Sequence, residues 1–319
     1  MRWNTPKDFE SLNTLKNKAV CMLRKSFFDE EIRCDYLVTK KVKKTWAIEL
    51  ELAKVFLDVC EKHSIKVSAF GGTLLGAIRH NGFIPWDDDM DFCMDRTNYE
   101  KFLSVASEEF KHPYFLQNCF TDRQFFFGYC RLRNSETTGL ITYNCSKDYN
   151  NGIYIDIFVL DGYLENEKKV KKQIRSRNIR SSILAQYYQK KKQSIIKRAI
   201  SSFFRNTYCK LVSYEKNVEK YNSVLSKFTN KTNRLSLMTH SFNFYSKYWV
   251  SKSDFDHIIQ HKFENITIPI FENYDCILKR TYGNYLDFPP ILERGKWHDG
   301  TLTIDPDIPY KEYIEKHFE

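Results

Sequence analysis

Apolar residues recur at helical spacing between Lys40 and His63, at Val42, Trp46, Leu50, Ala53, Leu57 and Cys60. That period predicts an amphipathic helix with Trp46 in its buried stripe. A short apolar run, Ile65 to Phe70, reads as a strand and ends on Gly71-Gly72. Thr73 to His80 is again helical and is closed by Asn81-Gly82, a stop signal. Asp89 to Met94 has strand character. Thr97 and Glu100 then have capping-box spacing, ahead of an inward stripe of Tyr99, Phe102, Leu103, Ala106 and Phe110. Strand runs follow at Tyr114 to Gln117, Phe125 to Leu132, Thr137 to Ile141 and Gly152 to Val159. In the last of these, Ile153, Ile155 and Ile157 face one way while Tyr154, Asp156 and Phe158 face the other.

Beyond Lys168 the pattern changes to helices with two stripes. Ile179, Ile183 and Tyr187 make one; Ile195, Ala199 and Phe203, beside Ile196, Ile200 and Phe204, make the other. His257 and His261, four apart, are placed on a further helix and read as solvent-facing rather than as ligands. A β-like run, Ile266 to Ile270, precedes a helix from Tyr274 to Tyr282 that Gly283 stops. Lys7 to Phe27 is weakly helical. The mixture predicts an α/β (α+β) fold, a mixed sheet packed by helices. Residues 1–164 and 251–319 form one domain, and 165–250 form a helical insert.

Composition sharpens this. With 42% hydrophobic and 16% aromatic residues over 319 positions, the chain is globular and can bury a large core. No apolar run is long enough to span a bilayer, and the first residues, Met1-Arg-Trp-Asn, contain no apolar leader core. Nine scattered cysteines without a Cys-x-x-Cys pair suit reduced thiols in a cytosol rather than a disulfide scaffold or zinc site. The formal charge of +10 is concentrated. Lys168 to Tyr214 holds 14 Lys/Arg and no Asp/Glu, leaving 36 basic against 40 acidic residues elsewhere. A basic amphipathic insert of this kind suits the surface of an anionic membrane. No nucleic-acid motif accompanies it.

The chemistry lies between Phe70 and Asp91. Four aspartates fall in five residues, Asp87, Asp88, Asp89 and Asp91. Strand alternation projects Asp89 and Asp91 from one face, where two carboxylates repel unless a cation sits between them. Their hard oxygens suit Mg²⁺ or Mn²⁺ carrying phosphate ligands. The glycine pair opening a helix offers backbone N–H groups to an anion. Together these describe a site for a metal-bound phosphate ester. Asp156, an acid within an apolar strand, is read as a third metal carboxylate or a general base, against the alternative of a carboxylate bonded to backbone N–H groups. Arg131 and Arg133 share a strand face, as solvated charge or as a phosphate contact.

Gly71-Gly72-Thr73-Leu74-Leu75-Gly76-Ala77-Ile78-Arg79-His80, followed by Gly82-Phe83-Ile84-Pro85-Trp86-Asp87-Asp88-Asp89-Met90-Asp91, resembles the signature of the LicD/fukutin family. The resemblance extends to Arg131-Leu132-Arg133-Asn134-Ser135-Glu136-Thr137-Thr138, to Gly152-Ile153-Tyr154-Ile155-Asp156-Ile157-Phe158, and to Tyr282-Gly283-Asn284-Tyr285 with Pro289-Pro290. It covers most of Val38 to His298 and is least specific over Lys168 to Val250. Two positions depart from the pattern. Asn81 stands where many relatives carry lysine, and Asn284 where aspartate is common.

The resemblance implies a nucleotidyltransferase-like fold and transfer of a phospho-alcohol, phosphocholine foremost, from a CDP-linked donor. The acceptor is a hydroxyl of a cell-surface glycan such as a teichoic acid, lipopolysaccharide or capsule precursor, including lipid-linked ones. Asp89, Asp91 and Asp156 would hold Mg²⁺ or Mn²⁺. Gly71, Gly72, Thr73, Arg79, His80, Trp86, Arg131 and Arg133 would contact donor and phosphate. The expected location is the cytoplasm, peripheral to the inner membrane face. Two alternatives stand beside this: a nucleotidyltransferase adding NMP through the same carboxylates, and a non-catalytic membrane or nucleic-acid binding protein built on the basic insert.

Overall fold

A computed structural model describes residues 23–141, 146–188, 202, 206–240, 242–295 and 302–318. Most of the expected helix at Lys7 to Phe27 and the second stripe of the insert lie outside the described residues. In chain order, a hairpin of β1 (Glu31–Arg33) and β2 (Tyr36–Val38) precedes α1 (Lys40–Lys62), β3 (Ser68–Ala69) and α2 (Gly71–His80). Next come β4 (Asp91–Asp95), α3 (Arg96–Glu109), β5 (Tyr114–Gln117), β6 (Cys130–Asn134), β7 (Thr138–Ile141) and β8 (Ile153–Gly162). The insert supplies α4 (Glu167–Tyr188), α5 (Tyr208–Leu211), α6 (Tyr214–Leu225), β9 (Arg234–Ser236), α7 (Phe242–Tyr245) and β10 (Trp249–Ser251). The chain continues with β11 (Ile258–Phe263), β12 (Ile266–Phe271), α8 (Tyr274–Tyr282), β13 (Leu302–Asp305) and α9 (Tyr310–Phe318).

The fold is α/β, and β8 is the spine of its mixed sheet. It pairs parallel with β4 and antiparallel with β6, and β5 and β3 flank these two. The end of β8 also pairs with β9, which carries β10. Both faces of β8 are covered, which is why its sequence is almost continuously apolar. Helix α1 packs on one face through the predicted stripe: Trp46, Leu50, Ala53 and Phe56 are buried, and Trp46 stacks on Phe83 at 4.6 Å. The insert has its own smaller core, with Val170, Leu184, Tyr214, Val218 and Tyr221 closing over Tyr163.

Several expectations are corrected. Helix α3 is capped by Asp95, whose side chain accepts the Asn98 N–H at 2.8 Å, rather than by Thr97. The run from Phe125 becomes a strand only at Cys130, and the run ending at Phe70 only over Ser68–Ala69. His261 lies on β11 of a hairpin, so the two histidines do not share a helix. In α4 the inward face is Val170, Gln173, Arg177 and Leu184, and Ile179 is exposed.

Candidate active site

The site grows from strand register. Asp91 on β4 is the register partner of Asp156 on β8, and Asp156 is in turn the partner of Arg131 on β6. Register partners project from the same face, so three charged side chains from sequence positions 25 to 65 residues apart form one row. The ladder begins one residue earlier than β4, because the Asp156 N–H donates to the Met90 carbonyl at 2.9 Å. Met90 is fully buried, and the alternation around it leaves Asp89 and Asp91 on the opposite side, as predicted.

The glycine pair belongs to these carboxylates as much as to any anion. A Cβ on Gly71, whose φ is +53°, would sit 2.9 Å from Asp91 Oδ2, and one on Gly72 would sit 2.6 Å from Asp87 Oδ2. Helix α2 starts at this pair, and its N-cap Phe70 provides no side-chain cap. Its first N–H groups therefore open beside the acids. Thr73 is buried and its Oγ1 accepts the Asp91 N–H at 2.8 Å, so its role is to tether Asp91. At the other end of α2, Asn81 takes the left-handed conformation, φ 52°, and its carbonyl accepts the Glu264 N–H at 2.8 Å. This anchors the turn into the aspartate run.

A cavity of about 700 Å³ opens at the Asp91 end of this row and is lined by Gly71, Gly72, Asp87, Asp89 and Asp91. Among the described residues, one oxygen from each of Asp87, Asp88 and Asp89 lies within 4.8 Å of the others. Burial, then the charges of Asp89 and Asp88, push the Asp87 carboxyl well up. Burial, then Asp89, Asp156 and Asp87, do the same to Asp91, with Arg131 opposing. An all-oxygen set whose members raise one another is the donor set that a hard divalent cation satisfies, so the residues fit Mg²⁺ or Mn²⁺.

The remaining predicted residues separate. Arg79 and Trp86 line the cavity. The Arg79 guanidinium donates to the Tyr285 and Asp287 carbonyls, each at 3.0 Å, and lies over Trp86 and Phe288. His80 faces a smaller recess with Arg33 and Cys34 and stacks on Phe288. Burial, then Arg79 and Arg33, push its pKa down to about 4, so it offers phosphate no positive charge at neutral pH. Arg131 and Asp156 are buried against each other, Nε to Oδ1 2.6 Å and Nη2 to Oδ2 3.3 Å, and neither lines the cavity. Arg133 is fully buried, donating to Gln117 Oε1 at 2.5 Å and to the Gly152 carbonyl at 2.6 Å. It braces β5 and the entry to β8 and does not line the cavity.

Sequence reasoning missed Glu49. It is 1% exposed on α1, and its pKa is raised first by burial and then by Asp89, Asp88, Asp87 and Asp91. The signal was present: Glu49 follows Trp46 by three positions and precedes Ala53 by four, which puts a carboxyl on the predicted apolar stripe. Also missed were Asp87 as a member of the cluster and the aromatic cavity wall supplied from Leu237 to Tyr282.

Comparison with known proteins agrees with this geometry. Residues 65–190 match the family described as LicD/FKTN/FKRP, nucleotidyltransferase domain. The chain is similar to a protein named lipopolysaccharide cholinephosphotransferase LicD from Haemophilus influenzae, 27% identical over 260 residues, covering 78% of this chain and 92% of that protein. It is also similar to the uncharacterized protein RP689 of Rickettsia prowazekii, 29% identical over 139 residues, covering 43% of this chain and 47% of that one.

Proposed function

We propose, from the match of residues 65–190 to the LicD/FKTN/FKRP family and the likeness to a protein named LicD, that this chain is a metal-dependent phosphotransferase of that family. It moves phosphocholine, or a related phospho-alcohol, from a CDP-linked donor to a hydroxyl of a lipopolysaccharide-type or other cell-surface glycan. The observation that carries the reading is the pair Asp87 and Asp91, each raised by burial and then by Asp89, set against the bare start of α2 at Gly71 and Gly72. The similarity to a protein named as a cholinephosphotransferase supports choline as the alcohol.

Asp89 and Asp91, with Asp87 beside them, would hold Mg²⁺ or Mn²⁺. The bound ion supplies neutralisation of the charge that builds on the departing CMP. The N–H groups at the start of α2 orient the transferring phosphate, and Thr73 keeps Asp91 turned towards it. Asp156 is an outer member of the shell. Both of its oxygens accept from Arg131, which favours this role over that of a base for the acceptor hydroxyl. Arg79 and Trp86, which line the cavity, would contact the nucleotide part of the donor. The basic insert would hold the enzyme at an anionic membrane where lipid-linked glycans lie. Among the described residues no helix is long and apolar enough to cross one.

The deciding experiment incubates the protein with CDP-choline, CDP-ribitol or CDP-glycerol, with and without acceptor glycan and Mg²⁺. Metal-dependent CMP release, with the phospho-alcohol gained by the glycan, is the expected result. Pyrophosphate release from CTP would instead establish an NMP-adding enzyme, and no metal-dependent binding of any CDP donor would leave a binding protein.

A further inference from the structure

One wall of the cavity is made of rings. Phe158, His240, Phe244, Tyr248 and Phe70 follow one another with centroids 6.3, 4.5, 3.9 and 6.5 Å apart, and Phe70 returns to Phe158 at 6.2 Å. Tyr282 extends the circuit, 5.9 Å from Tyr248. All six line the same cavity as Asp91. They come from the start of α2, from β8, from α8 and from the segment after β9, so the insert's far end completes the wall.

The charge of this wall is distinctive. Among the described cavity-lining residues the one permanent cation is Arg79, whose guanidinium lies over Trp86 and Phe288. His240 is kept neutral: burial first, and then Arg177, lower its pKa, with Asp156 opposing. Arg177 sits behind the wall, donating to the Met238 and His240 carbonyls at 3.0 and 2.6 Å, and it borders a different recess. Aspartates are close enough to act on the rings. After burial and each other's hydroxyls, Tyr248 and Tyr282 feel the charge of Asp91. Neutral aromatic faces beside carboxylates attract a cation that sheds its water cheaply, and a quaternary ammonium is that cation.

We propose that this ring wall is the subsite for a quaternary ammonium on the donor alcohol, and that it selects a trimethylammonium head over a primary ammonium or an uncharged polyol. The proposal rests on the CDP-alcohol reading above. It adds which wall of the cavity takes the alcohol: the rings around Phe244, rather than Trp86 and Phe288, over which an ammonium would meet Arg79.

The test uses the full chain and Phe244→Leu, with Phe244→Tyr as the variant that keeps a ring. In CMP-release assays the unmodified protein is expected to prefer CDP-choline to CDP-ethanolamine. Phe244→Leu should raise KM for CDP-choline about tenfold, a loss of about 1.4 kcal/mol of ring–cation attraction, with kcat and CMP affinity nearly unchanged. Phe244→Tyr should restore KM. If Phe244→Leu does not fold, Tyr248→Leu on the same wall carries the same expectations. CMP affinity falling in step with CDP-choline would put the cytosine on this wall and overturn the proposal, as would an unchanged preference between the two donors. A separate arm titrates tetramethylammonium into the protein by calorimetry, with CMP release left aside. Failure of every CDP-alcohol as donor sinks the transferase reading. Tetramethylammonium binding that Phe244→Leu does not weaken sinks the subsite.

Discussion

Asp91 and Asp156 stand opposite one another on parallel strands, and only one of them faces the cavity. Asp91 meets the open space with Asp89 and Asp87, while Asp156 turns its oxygens to Arg131. The two acids thus divide their work. One faces the space a ligand would occupy, and the other is held in place by a buried guanidinium that also opposes the rise in its neighbour's pKa.

The exposed half of that division predicts the effect of Asp89→Asn and Asp91→Asn. Each should lower transfer by at least about two orders of magnitude, more than loss of an outer-shell partner usually costs. Because burial and like charges raise Asp91, its amide should leave the metal-free fold as stable or more so. Mn²⁺ calorimetry should show weakened binding. Near-normal turnover with Mg²⁺ in either variant would falsify the assignment.

The buried half predicts asymmetric stability effects. Arg131→Met strands Asp156 without its partner and should cost about 3–5 kcal/mol in urea unfolding. The double variant Arg131→Met/Asp156→Leu should recover much of that loss, since no lone buried charge remains, yet stay inactive. A double variant no more stable than the single one would show that the pair is not the source of the cost.

Glu49 predicts a pH dependence. Its folded pKa is raised well above the ordinary 4.5 by burial and then by the aspartates. The unfolded chain releases this proton near the ordinary value while the folded chain keeps it. The stability it contributes is therefore complete below about pH 4.5 and is lost as pH rises. Glu49→Gln cannot ionise, so it should raise the Tm of the metal-free protein at pH 8 and leave it little changed at pH 4. Equal shifts at both pH values would remove the carboxyl from the account.

Gly72→Ala tests the close approach of helix and acid. Its Cβ would fall 2.6 Å from Asp87 Oδ2, and φ at this position is not left-handed, so backbone strain is not involved. Displacement of Asp87 should weaken Mn²⁺ binding and turnover while far-ultraviolet circular dichroism stays unchanged. Unaltered metal affinity would mean that Asp87 stands outside the ligand set.

Peripheral attachment is expected from the 14 basic residues that lie between Lys168 and Tyr214 with no acid among them, each worth about 1 kcal/mol near an anionic surface. On α4, Lys168, Lys169, Lys171, Lys172 and Arg175 are exposed. The protein should sediment with anionic but not zwitterionic vesicles, less so as salt rises. Glutamine at Lys190, Lys191, Lys192, Lys197 and Arg198 should release it without loss of turnover on a soluble acceptor. Indifference of the unmodified protein to anionic vesicles at every salt concentration would end this reading.

Local patterns in the sequence determined much of the molecule. Helical period and a glycine stop delimited α1, α2 and α8, and alternation around buried Met90 set Asp89 and Asp91 on one side. The motif between Gly71 and Asp91 made the candidate metal ligands legible because its parts are neighbours in the chain. Tertiary structure decided whatever depends on pairing across distance. That Asp156 meets Arg131 while Arg133 turns inward to Gln117 follows from the register of β5, β6 and β8, which alternation alone leaves free. Glu49 became part of the site because helix packing brought an interior carboxyl beneath the aspartates, and a stripe counted only for apolar residues passes over it. The ring wall gathers residues from Phe70 to Tyr282, each of which reads as ordinary core until the sheet and the insert's far end enclose a cavity between them.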